Sequence, residues 1–209
     1  MDKLRGTFLY VIYGMVIKFV LRWIVGIQAK NQPHWPESGP FIIVANHNSH
    51  LDTMAIMSMI PYGLIGITHP VAASDYFGKN KWQFYFSKNI INAILIKRKK
   101  DDPGQNPIEL MSKFIDKGHG LIIFPEGSRG EPQVLQPFKK GIGILLEKYP
   151  NIPYIPVYLH GMGKILPKGE KLLVPFQATI TWGKPSLVKA TSADEITAEI
   201  EQQVLALSV

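Results

Sequence analysis

Phe41-Ile42-Ile43-Val44-Ala45-Asn46-His47-Asn48-Ser49-His50-Leu51-Asp52 contains the change of pattern on which the fold turns. Its first five residues are continuously apolar, as in a strand buried on both faces of a sheet. Polar residues follow, and Ser49 with Asp52 three positions later makes a capping-box pattern, with aspartate for the usual glutamate. A helix is therefore expected from His50, so the unit is strand, turn, helix. Working outward, similar short apolar runs occupy Val71–Ala73, Ala93–Ile96, Leu121–Phe124, Tyr154–Leu159 and Ala178–Trp182. Helix-like stretches lie near Leu51–Met59, Lys81–Ser87, Ile108–Asp116, Lys140–Lys148 and Ala193–Leu207. Strands alternating with helices predict an α/β fold: a mostly parallel central sheet flanked by helices, with functional groups at strand ends. The Pro/Gly-rich segment Gly161–Pro175 reads as a surface loop or short hairpin.

A chain of 209 residues without repeats or low-complexity tracts is expected to build one main core. The absence of cysteine excludes disulfides, thiolate nucleophiles and cysteine-ligated metal centres. A net charge of +7 favours an anionic partner, whether nucleic acid, lipid headgroups or a phosphorylated substrate. The run from Thr7 to Ile27 is apolar except for Gly14, Lys18 and Arg22, and is long enough as a helix to cross a bilayer. Lys18 and Arg22 lie one turn apart, deep in that run, where a charge is costly. A helix lying in the membrane interface suits them better than one that crosses it. Residues 1–30 are thus expected to form a membrane-associating helix and residues 31–209 the main domain, joined through a proline-rich stretch, Asn31–Pro40.

The densest chemistry follows the first strand. On one continuous helix, His47 and Asp52 would stand about 140° apart. With His47 in the turn ahead of the cap, its ring can fold back to meet the Asp52 carboxylate. Such a carboxylate would fix the imidazole tautomer and stabilise the charge it gains as a general base. A first-turn aspartate also satisfies the helix dipole with no chemistry at all. His47, His50 and Asp52 form a rival set as metal ligands, but no further His/Asp/Glu cluster has ligand spacing, and no metal is expected. A second apolar strand ends in a polar turn at Phe124-Pro125-Glu126-Gly127-Ser128-Arg129-Gly130. Gly127 allows close backbone approach, Arg129 offers a planar fork for phosphate, and Glu126 can hold that fork or bond a substrate hydroxyl.

With both motifs in view, the sequence resembles the glycerolipid acyltransferase family, which includes 1-acylglycerol-3-phosphate acyltransferases. The family's N-H-x-S-x-x-D is matched by Asn46–Asp52, and its F-P-E-G-[ST]-R by Phe124–Arg129. An apolar strand ending in arginine is matched by Ala93–Arg98, with Asn92 where the family usually has glycine. Tyr154–Leu159 resembles its proline-containing strand, Pro137–Gly141 its F-K-x-G stretch, and Trp182–Pro185 its late strand and turn. The family's lysine ahead of an acidic-aromatic stretch has no counterpart at Ala73 and Ser74, although Lys97–Lys100 supplies positive charge nearby.

The resemblance implies an enzyme that moves a fatty acyl chain from acyl-CoA or acyl carrier protein to the free hydroxyl of a lysophospholipid, 1-acylglycerol-3-phosphate first, in phospholipid biosynthesis. His47 would act as general base and Asp52 would orient it. Arg98, Glu126, Gly127, Ser128 and Arg129 would hold the acceptor. No resident cofactor is implied, and no acyl-enzyme is needed. The partners would be the lysophospholipid, the thioester donor and a membrane surface, with the cytoplasmic face the simplest location. Two rivals remain: transfer to another lysolipid or a lipid-linked acceptor, and a catalytically silent lipid-binding protein. A nucleic-acid binder is disfavoured, because the basic residues form no recognised binding motif.

Overall fold

The computed structural model describes residues 2–31, 34–49, 51–73, 91–96, 106–128, 135–165 and 176–208. Seven strands form one sheet: β1 (Gln28–Lys30), β2 (Ile42–Ala45), β3 (Thr68–Ala73), β4 (Ile94–Ile96), β5 (Gly120–Ile123), β6 (Tyr154–His160) and β7 (Thr179–Trp182). Their order is β1-β7-β6-β2-β5-β3-β4. All pairings are parallel except β6 with β7, which run antiparallel. The sheet is therefore mostly parallel, as the alternating pattern predicts, with a reversed edge formed by β7 and β1. Every residue of β2 and β5 is buried, which is why those segments read as unbroken apolar runs.

Alternation along β2 divides the interior in two. Phe41, Ile43 and Ala45 point to one face, where they meet the N-terminal helix, helix α2 (Leu51–Met57) and helix α3 (Tyr62–Ile65). Ile42 and Val44 point to the other, against helices α4 (Pro107–Ile115), α5 (Gly141–Lys148) and α7 (Ala193–Leu205). Side chains cap the starts of α4 and α7: Asn106 accepts from the Ile108 amide, and Ser192 accepts from the Glu195 amide.

The N-terminal helix begins as α1 (Asp2–Leu9) and continues as wider, π-type turns over Tyr10–Ile17 and Val20–Val25. Leu9, Tyr13, Leu21 and Val25 are buried on the domain. Leu4, Phe8, Val11, Met15, Phe19 and Trp23 stand exposed along the opposite side. By length and composition the stretch Leu4–Val25 could cross a membrane. Beyond it the chain goes straight into β1, whose Gln28 amide bonds to the Ala178 carbonyl and which pairs with β7.

Three short elements depart from the sequence reading. β1 is too short and polar to carry a strand pattern. β3 starts at Thr68, three residues before the apolar run. Helix α6 (Met162–Ile165) occupies part of the expected Gly161–Pro175 loop, and Met162 and Ile165 are fully buried one turn apart. The helix expected near Lys81–Ser87, and residues 166–175 of that loop, lie outside the described residues.

Candidate active site

β2 and β5 lie side by side in parallel, with Ile42 opposite Leu121, Ile43 opposite Ile122 and Val44 opposite Ile123. Their carboxyl ends therefore deliver Asn46–Asp52 and Phe124–Ser128 to the same edge of the sheet, where parallel α/β folds place their sites. Asn46 extends the sheet by one step: its side chain donates to the Leu159 carbonyl at 3.0 Å and accepts from the Leu159 amide at 2.7 Å. That pair of bonds ties the end of β2 to β6 just before the chain turns at His47.

His47 Nδ1 lies 2.9 Å from Asp52 Oδ2. The same oxygen accepts from the Asn48 and Ser49 amides, each at 2.7 Å. The Ser49 hydroxyl in turn accepts from the Leu51 amide at 3.3 Å. The capping-box and His–Asp readings are thus one structure, in which a single carboxylate oxygen closes the helix start and holds the imidazole. Asp52 is fully buried and the His47 side chain is 21% exposed, so the carboxylate is shielded while the ring faces outward. Because an ionised carboxylate only accepts hydrogen bonds, Nδ1 carries the proton of the neutral ring, and Nε2 is left with its lone pair.

The Phe124 ring stacks on the imidazole, with centroids 4.3 Å apart and planes 25° apart. This contact was not legible in the sequence, since it depends on β2 and β5 being neighbours. Glu126 is buried, and both of its oxygens are spent on backbone: the His47 amide at 2.7 Å and the Gln136 amide at 3.1 Å. It therefore ties the His47 turn, its own turn and the 135–139 segment together. Burial raises the Glu126 pKa, opposed by the two amides and the nearby imidazole. Tyr158 on β6 is raised as well, by burial and then by the charge of Glu126. Gly127 adopts φ +72°, a left-handed conformation open to glycine without a Cβ clash.

Of the expected site residues, the structure brings together His47, Asp52, Glu126, Gly127 and Ser128. His50, Arg98 and Arg129 lie outside the described residues. Asn92, in place of the family's glycine, has φ +60°, a left-handed conformation that asparagine tolerates better than most residues. Its side chain adds a bond glycine could not make, donating to the Thr68 carbonyl at 2.9 Å.

With the fold and the geometry of this strand-end cluster established, the chain belongs to the Acyltransferase family, whose sequence profile matches residues 26–160. Among its relatives is the 1-acyl-sn-glycerol-3-phosphate acyltransferase of Limnanthes douglasii, 28% identical over 188 residues that cover 88% of this chain and 64% of the relative. The 1-acyl-sn-glycerol-3-phosphate acyltransferase alpha of Homo sapiens is 23% identical over 186 residues, covering 85% of this chain and 62% of that one. The chain thus spans a little under two thirds of the length of these curated relatives. The crystal structure of the 1-acyl-sn-glycerophosphate (LPA) acyltransferase PlsC from Thermotoga maritima superposes with a TM-score of 0.69, covering 99% of this chain and 93% of that one. At 19% identity this likeness shows a shared fold.

Proposed function

We propose that the chain transfers a fatty acyl group from acyl-CoA or acyl carrier protein to the free hydroxyl of a lysophospholipid, with 1-acylglycerol-3-phosphate as the first candidate acceptor. The observation that carries this reading is the 2.9 Å contact between His47 Nδ1 and buried Asp52, which leaves Nε2 as the basic nitrogen. Nε2 takes the proton of the acceptor hydroxyl as its oxygen attacks the thioester carbonyl. Asp52 stabilises the imidazolium that forms. The tetrahedral intermediate then collapses, the carbon–sulfur bond breaks, and the departing thiolate recovers the proton from His47. The Gly127 amide is spent on the Phe124 carbonyl, so the Glu126 and Ser128 amides are the donors this turn offers to the oxyanion. Arg98 and Arg129 are assigned to the acceptor phosphate by the motifs they complete.

The same reading places the protein on a membrane, at the cytoplasmic face. The N-terminal helix turns one apolar side to the domain and another, from Leu4 to Trp23, to the surroundings. A helix buried along one side by its own domain fits a position lying in the interface, with the exposed side in the acyl region. The test is thiol release from long-chain acyl-CoA by the detergent-purified chain, with and without lysophosphatidate. Release that depends on lysophosphatidate is expected. Silence with that acceptor, but release with another lysolipid, would replace the acceptor and keep the chemistry; silence with every acceptor and with acyl carrier protein as donor would overturn the reading.

A further inference from the structure

The segment that follows the site turn carries two adjacent lysines with different surroundings. Lys140 spends its ammonium on Asp194, 2.6 Å away at the start of α7. Lys139 has no acidic partner among the described residues, and its stem lies across Gly127. A Cβ placed on Gly127 would stand 2.6 Å from Lys139 Nζ, 3.1 Å from Cδ and 3.2 Å from Cε. The glycine therefore has two physical reasons: a positive φ, and the passage of a lysine over its face.

The position of Lys139 is fixed by its neighbours. Phe138 is buried in the interior on the α5 side, which turns Lys139 outward. The Lys139 amide donates to the Pro125 carbonyl at 3.0 Å, and the Gln136 amide donates to Glu126. Glu126, on the turn that Lys139 crosses, binds the His47 and Gln136 amides, and no ion pair joins it to Lys139 among the described residues. The result is an exposed ammonium held against the turn that also meets His47, at the edge where the sheet delivers its catalytic residues.

Resting on the acyl-transfer reading above, we propose that Lys139 is a substrate-binding residue, whose ammonium takes a phosphate group of a substrate. The phosphate monoester of the acceptor and the phosphates of a CoA donor share the required chemistry. The experiment measures the KM for each substrate, at saturating concentration of the other, in the wild type, Lys139→Met, Lys139→Arg and Lys140→Met, with palmitoyl-CoA and lysophosphatidate. Loss of one charge-assisted hydrogen bond should raise one KM by about ten- to hundredfold in Lys139→Met. Arginine should restore most of it, kcat should stay within a few-fold, and Lys140→Met should match the wild type. A rise confined to lysophosphatidate assigns the acceptor phosphate; one confined to palmitoyl-CoA assigns the donor. Wild-type values for both substrates in Lys139→Met would overturn the inference while leaving the acyl-transfer reading intact. A wild-type protein silent with lysophosphatidate and every alternative acceptor would instead overturn that reading, and the inference with it.

Discussion

Asp52 Oδ2 receives the His47 ring and two backbone amides, so the residue proposed to orient the base also closes the first turn of α2. Asp52→Asn keeps the shape and an acceptor oxygen but removes the negative charge that would stabilise the imidazolium and strengthen the bonds from both amides. We expect kcat to fall by about 10²-fold or more, with a loss of stability on the order of 1 kcal/mol from the weakened cap. Steady-state kinetics and denaturant melts would check both; full activity would remove Asp52 from the mechanism. At this scale the sequence was most readable. His47, Asp52 and Ser49 are five residues or fewer apart, so local turn geometry decides their contacts. Phe124 on the imidazole and Glu126 on the His47 amide join positions 77 and 79 residues apart, and no local pattern carries them.

Elements with strong periodicity were legible and weak ones were not. β2 and β5 announce themselves because both faces are buried; β1 does not, being three residues long with two of them exposed. Helix α6 was read as loop because glycines and prolines surround it, yet Met162 and Ile165 are buried at helical spacing. In the N-terminal helix, composition indicated an apolar run, and packing decides which side faces out. Phe19 and Trp23 are 59% and 72% exposed, on the side away from the domain. Replacing both with glutamate should release the protein from anionic liposomes in a flotation assay without changing its melting, since neither is part of the core. Undiminished liposome binding by the double variant would show that another surface makes the attachment.

The order of strands across the sheet belongs to the whole molecule, and single-sequence patterns reveal the strands without their neighbours. The same is true of a histidine network at the end of the sheet opposite the site. His69 Nδ1 lies 2.9 Å from the Asn92 carbonyl, and Nε2 lies 2.9 Å from His119 Nδ1. The carbonyl requires a proton on His69 Nδ1, so His69 Nε2 accepts from His119. Burial lowers the His69 pKa from 6.5 to about 4, helped by the charges of His119 and Arg5 and opposed by the Asn92 bond. The unfolded chain therefore binds a proton near pH 6.5 that the folded chain refuses until about pH 4. Folding stability should fall as pH drops through that window, by as much as about 3 kcal/mol, and should be insensitive to this group above it. Urea melts between neutral pH and about pH 4 would show the slope, and His69→Gln should flatten it; an unchanged slope in the variant would assign the loss to other groups.

Under the proposed mechanism, His47 is the base that makes the acceptor hydroxyl a nucleophile. The most direct measurement is the initial rate of thiol release from palmitoyl-CoA with saturating lysophosphatidate, for wild-type and His47→Ala proteins of matched thermal stability. Acceptor-dependent release is expected in the wild type, with a fall of at least about 10²–10⁴-fold in the variant. Release by His47→Ala within a few-fold of wild type would contradict it.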